Sequence, residues 1–407
     1  MTQTLWQPPQ LRVGEDREEE HRHATWLELF FDLVFVAAIS ELAYSLSQNV
    51  SLEGYSEFAL LFIPVWWSWV GATFYASRFD CDQDLGHRLL TLLQMVLLVV
   101  LAVNVHHGLG ESSIGYALSY AAVRVVTIVE YIRAAYYIPI ARPMAKLYTV
   151  GFGCSVLLWV ISVFVPIPWR FTLWVIGMII DLATPRMGSR LVAEIPPHTE
   201  HLPERMGLFT IIVLGESILA VVRGVSERNW DVSSAVTAIL GMGVAFTLWW
   251  LYFETVDGSP LKAIRSGGVS IGLVWLYTHL PLVIGLAGVG VGVEHLVLDK
   301  GKDWVPPGDR WLFCGSVILC LLALAGLHLI TCSLGSSKRR RILAAYRLGA
   351  AAFVLAIAFS GEALSPLALC LVIAFACGVQ VIIDLQEKLH PYGSMKVETD
   401  QKVLEKD

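Results

Sequence analysis

Two carboxylates one helical turn apart, Glu28 and Asp32, stand inside the first long apolar run of this 407-residue chain. At i and i+4 they share one helix face. A charge held within a hydrocarbon-spanning helix costs about 2.5 to 3.5 kcal/mol on insertion scales, so such groups persist where they meet a partner, bind a cation or pass a proton. Glu28, nearer the start of the run, is also placed for ordinary solvation. Glu216, in the middle of the run around Leu214-Gly215-Glu216-Ser217, falls under the same argument. His279 lies in Tyr277-Thr278-His279, two residues before Pro281. Its imidazole titrates near neutral pH when wet, and the proline frees a backbone carbonyl that can line a pathway. The same histidine bonded to a neighbouring carbonyl would be a core residue. Asp32, Glu216 and His279 are therefore the candidate acids and bases for any proton step.

Arg124 sits half-way along its apolar run and needs a carboxylate from elsewhere; Asp32 and Glu216 are nearest in depth. The pair would serve as a substrate clamp or as a structural lock. Glu130 and Arg133, at i and i+3, are expected to neutralise each other locally. Just before the apolar run that opens at Met206, the residues His201, Glu204 and Arg205 form a polar cluster around Pro203. It reads either as an ordinary helix start or as the lining of an entrance. Its His-x-x-Glu step lacks a second histidine at ligand spacing, so neither a metal nor another cofactor is expected. Trp66, Trp67, Trp69, Trp249 and Trp250 suit interfacial belts or the wall of an apolar cavity. The expected substrate or ion pathway comprises Glu28, Asp32, Arg124, Glu216, His279, Trp67 and Trp250.

The elements that must hold these residues follow from composition. With 56% hydrophobic and only 16% charged residues, the chain needs a bilayer as its solvent. A hydrocarbon core of roughly 30 Å takes about 20 apolar helical residues to cross. Twelve runs fit, at Trp26 to Leu46, Phe58 to Ala76, Leu89 to Val105, Gly115 to Ile138, Leu147 to Val165, Trp169 to Ala183, Met206 to Val222, Ser234 to Glu254, Gly267 to Val293, Trp311 to Cys332, Ile342 to Phe359 and Leu364 to Ile383. The sixth is the shortest and ends at Asp181. The fold class is thus all-α, a polytopic transmembrane helical bundle of about 12 spans.

Lysine and arginine gather on the cytoplasmic side of short loops. With a cytoplasmic N-terminus, only Arg170, Arg223, Arg228, Lys300, Lys302 and Arg310 face outward, which supports an even number of spans and a multi-pass cell-membrane protein with both termini cytoplasmic. The acidic start (Glu15, Asp16, Glu18, Glu19, Glu20) does not resemble a secretory signal. Seven cysteines show no metal or redox spacing and read as reduced packing residues. The net charge of −6 names no partner, and the Lys338-to-Arg341 cluster is a topology determinant, not a nucleic-acid surface. The bilayer and a small solute, ion or lipid-like substrate are the expected partners; the oligomeric state stays open.

The halves look related. Leu29-Phe-Phe-Asp-Leu-Val-Phe pairs with Leu208-Phe-Thr-Ile-Ile-Val-Leu, Trp66-Trp67 with Trp249-Trp250, Gln94 with His279, and Ile179-Ile180-Asp181-Leu182 with Ile382-Ile383-Asp384-Leu385. The offset grows steadily along the chain, as loop insertions require. The reading is a tandem 6+6 repeat, with a tail at 1–23, repeats at 24–184 and 204–385, a cytoplasmic linker at 185–203 and a second tail at 386–407. Same-sense repeats put a pseudo-two-fold axis along the membrane normal and the site where the halves meet.

The string TWLELFFDLVFVAAISEL from Thr25, Trp66-Trp67 followed by Tyr75, Arg78, Phe79 and Asp80, and HLPERMGLFTIIVLGESIL from His201, with Trp249-Trp250 and Glu254, resemble the bacterial low temperature requirement A family of membrane proteins. The likeness covers most of the chain. That family takes its name from a growth phenotype, so the resemblance implies a multi-span bacterial membrane protein and names no reaction. Phe31-Asp32 is also faintly similar to the first repeat helix of the endolysosomal two-repeat potassium channels. Their intervening serine is missing and Thr210-Ile211 stands at the second position, so potassium selectivity is not implied.

Intramembrane charge in paired repeats favours a transporter or channel-like protein moving a small solute or ion, with protons as a candidate coupling ion. The alternative is an intramembrane enzyme, a cyclase or isomerase using the same carboxylates on a lipid or isoprenoid-like substrate. A sensor or structural component would not need so many buried charges.

Overall fold

The computed structural model describes residues 7–12, 24–79, 84–226, 232–254, 256, 258–265, 267–299, 303–334 and 338–389. The acidic residues 15–20, Asp80, Cys81, Arg228, Asp257, Lys300, Lys302 and the tail beyond 389 lie outside them. Within them the chain is helical: α1 (Trp26–Gln48), α2 (Leu52–Phe79), α3 (Leu85–Val103), α4 (Ser113–Tyr137), α5 (Arg142–Ser162), α6 (Trp169–Met187), α7 (Ser189–Glu194), α8 (His201–Ser226), α9 (Val232–Phe253), α10 (Ser259–Arg265), α11 (Val269–Leu298), α12 (Pro307–Cys332), α13 (Lys338–Ser360) and α14 (Pro366–Leu389).

Local chemistry explains several boundaries. Thr25 and Glu28 close a capping box at the start of α1, Thr25 Oγ1 accepting from the Glu28 N–H and the Glu28 carboxylate accepting from the Thr25 N–H at 2.8 Å. One member of the expected carboxylate pair thus also starts its helix. Asp84 caps α3 by accepting from the His87 N–H.

Eleven helices among the described residues are long and apolar enough to cross a bilayer. The sixth expected run is a helix, but Arg170, Asp181 and Arg186 make α6 less apolar than the rest. At 19 residues it is about 28 Å long, close to the hydrocarbon thickness, and its one fully buried charge, Asp181, is neutralised inside the bundle as described below.

In the first half α1 packs on α2 and α3, α3 on α4, α4 on α5 and α5 on α6. In the second α8 packs on α9 and α11, α11 on α12, α12 on α13 and α13 on α14. The halves meet where α1 and α2 lie on α8 and α11. Phe209 of α8 stacks near Trp69 of α2 at 4.5 Å and Phe35 of α1 at 6.2 Å, and Tyr277 of α11 donates to the Leu182 carbonyl of α6 at 2.6 Å.

The segment expected to be a linker is built into the bundle: residues 195–199 are buried, Arg78 donates to the Ile195 carbonyl at 2.9 Å and the His198 N–H to Ser77 Oγ at 2.9 Å. Trp66, Trp67 and Trp69 are buried, so on α2 the tryptophans are packing residues and not a lipid-facing belt. Trp26 and Trp169, exposed at helix ends, suit that role better.

Candidate functional site

The four residues Glu28, Asp32, His201 and Arg205 converge where α1 crosses α8. Asp32 Oδ1 accepts from Arg205 Nη2 at 2.7 Å and from the Trp69 indole N–H at 2.8 Å. One turn nearer the helix start, Glu28 Oε1 lies 3.1 Å from His201 Nε2 and 3.8 Å from Arg205 Nη1. A carboxylate only accepts, so His201 turns its Nε2–H to Glu28. All four are buried. Asp32 Oδ2, His201 Nδ1 and two Arg205 nitrogens, Nε and Nη1, are buried without a hydrogen-bond partner among the described residues. Such orphaned polar atoms are costly in a dry interior, which marks the cluster as a place where water, a proton or a ligand completes the set. Glu204 stands beside it, close enough for the Ala24 N–H to reach its carboxylate at 3.5 Å.

A cavity of about 430 Å³ leads to this cluster, lined from α1 by Trp26, Leu27, Glu28 and Phe31, from α2 by Ala72 and Ala76, from α3 by His87, Arg88, Thr91 and Gln94, from α4 by Glu130 and from α8 by Arg205. Trp26 and Arg88 are exposed at its mouth, while Phe31, Gln94 and Arg205 are buried at its floor. From His87 to Gln94 it runs about 10 Å along α3. Past the floor, Phe35, Trp66, Trp67, Trp69 and Phe209 fill the bundle.

The remaining candidates lie elsewhere. Arg124 pairs with neither Asp32 nor Glu216 but with Asp181 of α6, 3.0 Å away, and its guanidinium caps the Phe152 ring at 4.0 Å. Tyr120 donates to the second Asp181 oxygen at 2.5 Å. The cluster is fully buried inside the first half, which is the structural-lock alternative. Glu216 faces Arg223, two turns further along α8, at 3.0 Å, and Arg223 also reaches Glu294 of α11 at 3.3 Å. His279 Nδ1 bonds the Trp275 carbonyl of its own helix at 2.8 Å, which makes Nδ1 the protonated nitrogen and leaves Nε2 to accept from the Tyr252 hydroxyl at 3.2 Å. It is a satisfied core histidine. Trp67 packs against Tyr277 with ring centroids 6.0 Å apart, and Trp250 lies half-buried against Phe246; neither lines the cavity.

Glu130 and Arg133 do not pair. Glu130 Oε1 takes His87 Nδ1 of α3 at 2.8 Å, and Arg133 takes Asp84 at the α3 N-cap. Sequence reasoning passed over His87, Thr91 and Glu130 as site residues because i, i+3 spacing offered Glu130 a local partner. The available signal was a histidine and a carboxylate at the same depth in consecutive antiparallel runs. Arg347, inside the run that opens at Ile342, is buried on α13, and its Nη2 donates to both carboxylate oxygens of Asp384 on α14 at 2.7 Å.

Relatives of known sequence extend this picture. The chain is 27% identical over 287 residues to an uncharacterised protein of Rhizobium meliloti (strain 1021), a match covering 67% of this chain and 69% of that one. No solved structure matches the fold. The model of the family described as bacterial low temperature requirement A protein matches residues 23–380, including all four residues of the α1–α8 cluster, and this membrane protein belongs to that family.

Proposed function

We propose that the protein is a membrane transporter that moves a small solute or ion between its two halves, with protons as the coupling species. The observation that carries this reading is the buried Glu28–His201–Arg205–Asp32 chain, which joins the first helix of each half at the floor of a cavity open at one end. A carboxylate beside a histidine and a guanidinium, with Asp32 Oδ2 and His201 Nδ1 lacking a hydrogen-bond partner among the described residues, is suited to exchanging a proton for a solute. The opposite end is tied shut by side chains: Arg223 bridges Glu216 and Glu294, and His295 of α11 joins Asp309 of α12 at 3.0 Å and the Ser47 carbonyl of α1 at 3.1 Å. One end open and the other bridged is the arrangement of one state in alternating access. The order α1–α3–α4–α5–α6 matches α8–α11–α12–α13–α14 and supports a repeat related by an axis along the membrane normal, although α9 packs on α14 where α2 does not pack comparably on α6. With a cytoplasmic N-terminus, the open end faces the cytoplasm.

The test is reconstitution into liposomes loaded with a pH-sensitive dye, with a solute panel added outside. Glu28→Gln and Asp32→Asn should each abolish solute-dependent proton movement; flux equal to wild type in both would sink the proposal. The blind floor is the observation that favours the alternative, an acid–base enzyme on a lipid-like substrate. That reading gains if no solute moves and the protein isomerises or cyclises an added isoprenoid-like lipid in an Asp32-dependent way.

A further inference from the structure

The geometry points to a small organic cation, an amine carried as its ammonium, as the occupant of the Glu28 cavity, with Glu130 as its counter-charge. The inference rests on the transport reading for its physiological meaning and on the cavity alone for its chemistry.

Size comes first. A bare ion or a single water fills about 30 Å³, whereas cavities of about 300 Å³ and more hold organic ligands. At about 430 Å³ this one is built for a molecule with a body. Phe31, Ala72 and Ala76 supply an apolar wall for that body.

Charge comes second. Glu28 and Glu130 stand in the wall with Arg88 and Arg205, and Asp32 lies directly on Arg205. Three carboxylates thus face two guanidinium groups, and Arg88 sits at the exposed mouth, where water screens it. The three carboxylates outnumber the two guanidinium groups, an imbalance that a monocation relieves and an anion worsens.

The third observation is Glu130 itself. Its side chain is 2% exposed; Oε1 is taken by His87, while Oε2 is buried and accepts no hydrogen bond among the described residues. A buried carboxylate oxygen without a donor is a standing cost, and an ammonium supplies three donors. Glu130 lies on α4, across the cavity from Glu28 on α1, so an ammonium held there leaves the Glu28–His201–Arg205–Asp32 chain free to handle a proton.

The experiment uses three probes of one shape and different charge, benzylammonium chloride, benzyl alcohol and sodium benzoate, titrated calorimetrically into the purified full-length protein in lipid nanodiscs. Saturable binding of benzylammonium, at least tenfold tighter than of the other two, is expected. Glu130→Gln, which keeps the shape and removes the charge, should weaken it at least tenfold, and Ala72→Leu, which narrows the cavity, should weaken all three probes. Equal binding of the alcohol or the benzoate, or an undiminished benzylammonium affinity in Glu130→Gln, overturns the inference. Thermal melting checks that both variants are folded; if Glu130→Gln is not, competition of benzylammonium by sodium or potassium chloride decides, since an inorganic-ion site would be displaced at equal concentration. Benzylammonium binding without any flux would uphold the amine site and sink the transport reading, whereas solute-driven proton movement in a protein that ignores benzylammonium would do the reverse.

Discussion

Asp32 carries the junction between the halves on one oxygen, since both Arg205 and Trp69 donate to Oδ1. Removing one partner of a buried ion pair leaves the other charge uncompensated, at about 3–5 kcal/mol. Arg205→Met should therefore destabilise by about that amount in detergent melting, and adding Asp32→Asn should recover most of the loss. Equal melting of single and double variants would mean that the two charges are not coupled. Arg124 gives a contrasting expectation. Arg124→Met strands Asp181 and should cost a similar 3–5 kcal/mol, whereas Arg124→Met with Asp181→Asn keeps an acceptor for Tyr120, regains stability and leaves probe binding at the Glu28 cavity intact. Lost binding in a stable double variant would show that Arg124 acts on the site. Gly71 belongs to the same cluster: a Cβ there would fall 2.7 Å from Arg124 Nη1, so a larger residue would make the guanidinium shift.

At the scale of the helices, α11 is the axle of the second half. It is 30 residues long and touches α8, α9, α12 and α1. Helices in lipid gain little from the hydrophobic effect on meeting each other, so close contact through small residues has to hold them. Gly290 shows how close: a Cβ built on it would lie 2.6 Å from the Ser217 Cα of α8. Gly290→Leu should push α8 outward and cost about 1–3 kcal/mol or more, while Gly243→Leu on α9, whose Cβ position has no neighbour within 4 Å, should melt as the wild type does. Matching losses in the two variants would refute the role given to the α8–α11 contact. Because α8 carries both Arg205 at the cavity floor and Glu216 about 16 Å further along, Gly290→Leu is also expected to reduce flux more than its stability loss accounts for.

Over the whole molecule, a cavity open at one end predicts one-sided chemistry. In a protein with its exposed Cys154 replaced by alanine, a cysteine at Thr91 should react with a water-soluble thiol reagent only from the side of the α1 N-terminus, and one at the buried Val213 should not react. Labelling of Thr91→Cys from the other side would reverse the orientation drawn from the lysines and arginines. The helix-by-helix order and the family could be read along the chain, because hydropathy and contiguous motifs are one-dimensional properties. So could the shared face of Glu28 and Asp32, since i, i+4 spacing on an apolar helix survives any packing. Partners could not. Arg124 met Asp181 rather than Asp32, Glu130 met His87 rather than Arg133, and Arg205, read as part of a helix start or an entrance lining, became the partner of both acids on α1. A buried charge takes whichever opposite charge the packing brings within a few ångströms, and helix rotation and crossing angle decide that contact. Depth along a helix was legible in the residues; which face met which neighbour was settled only by the bundle.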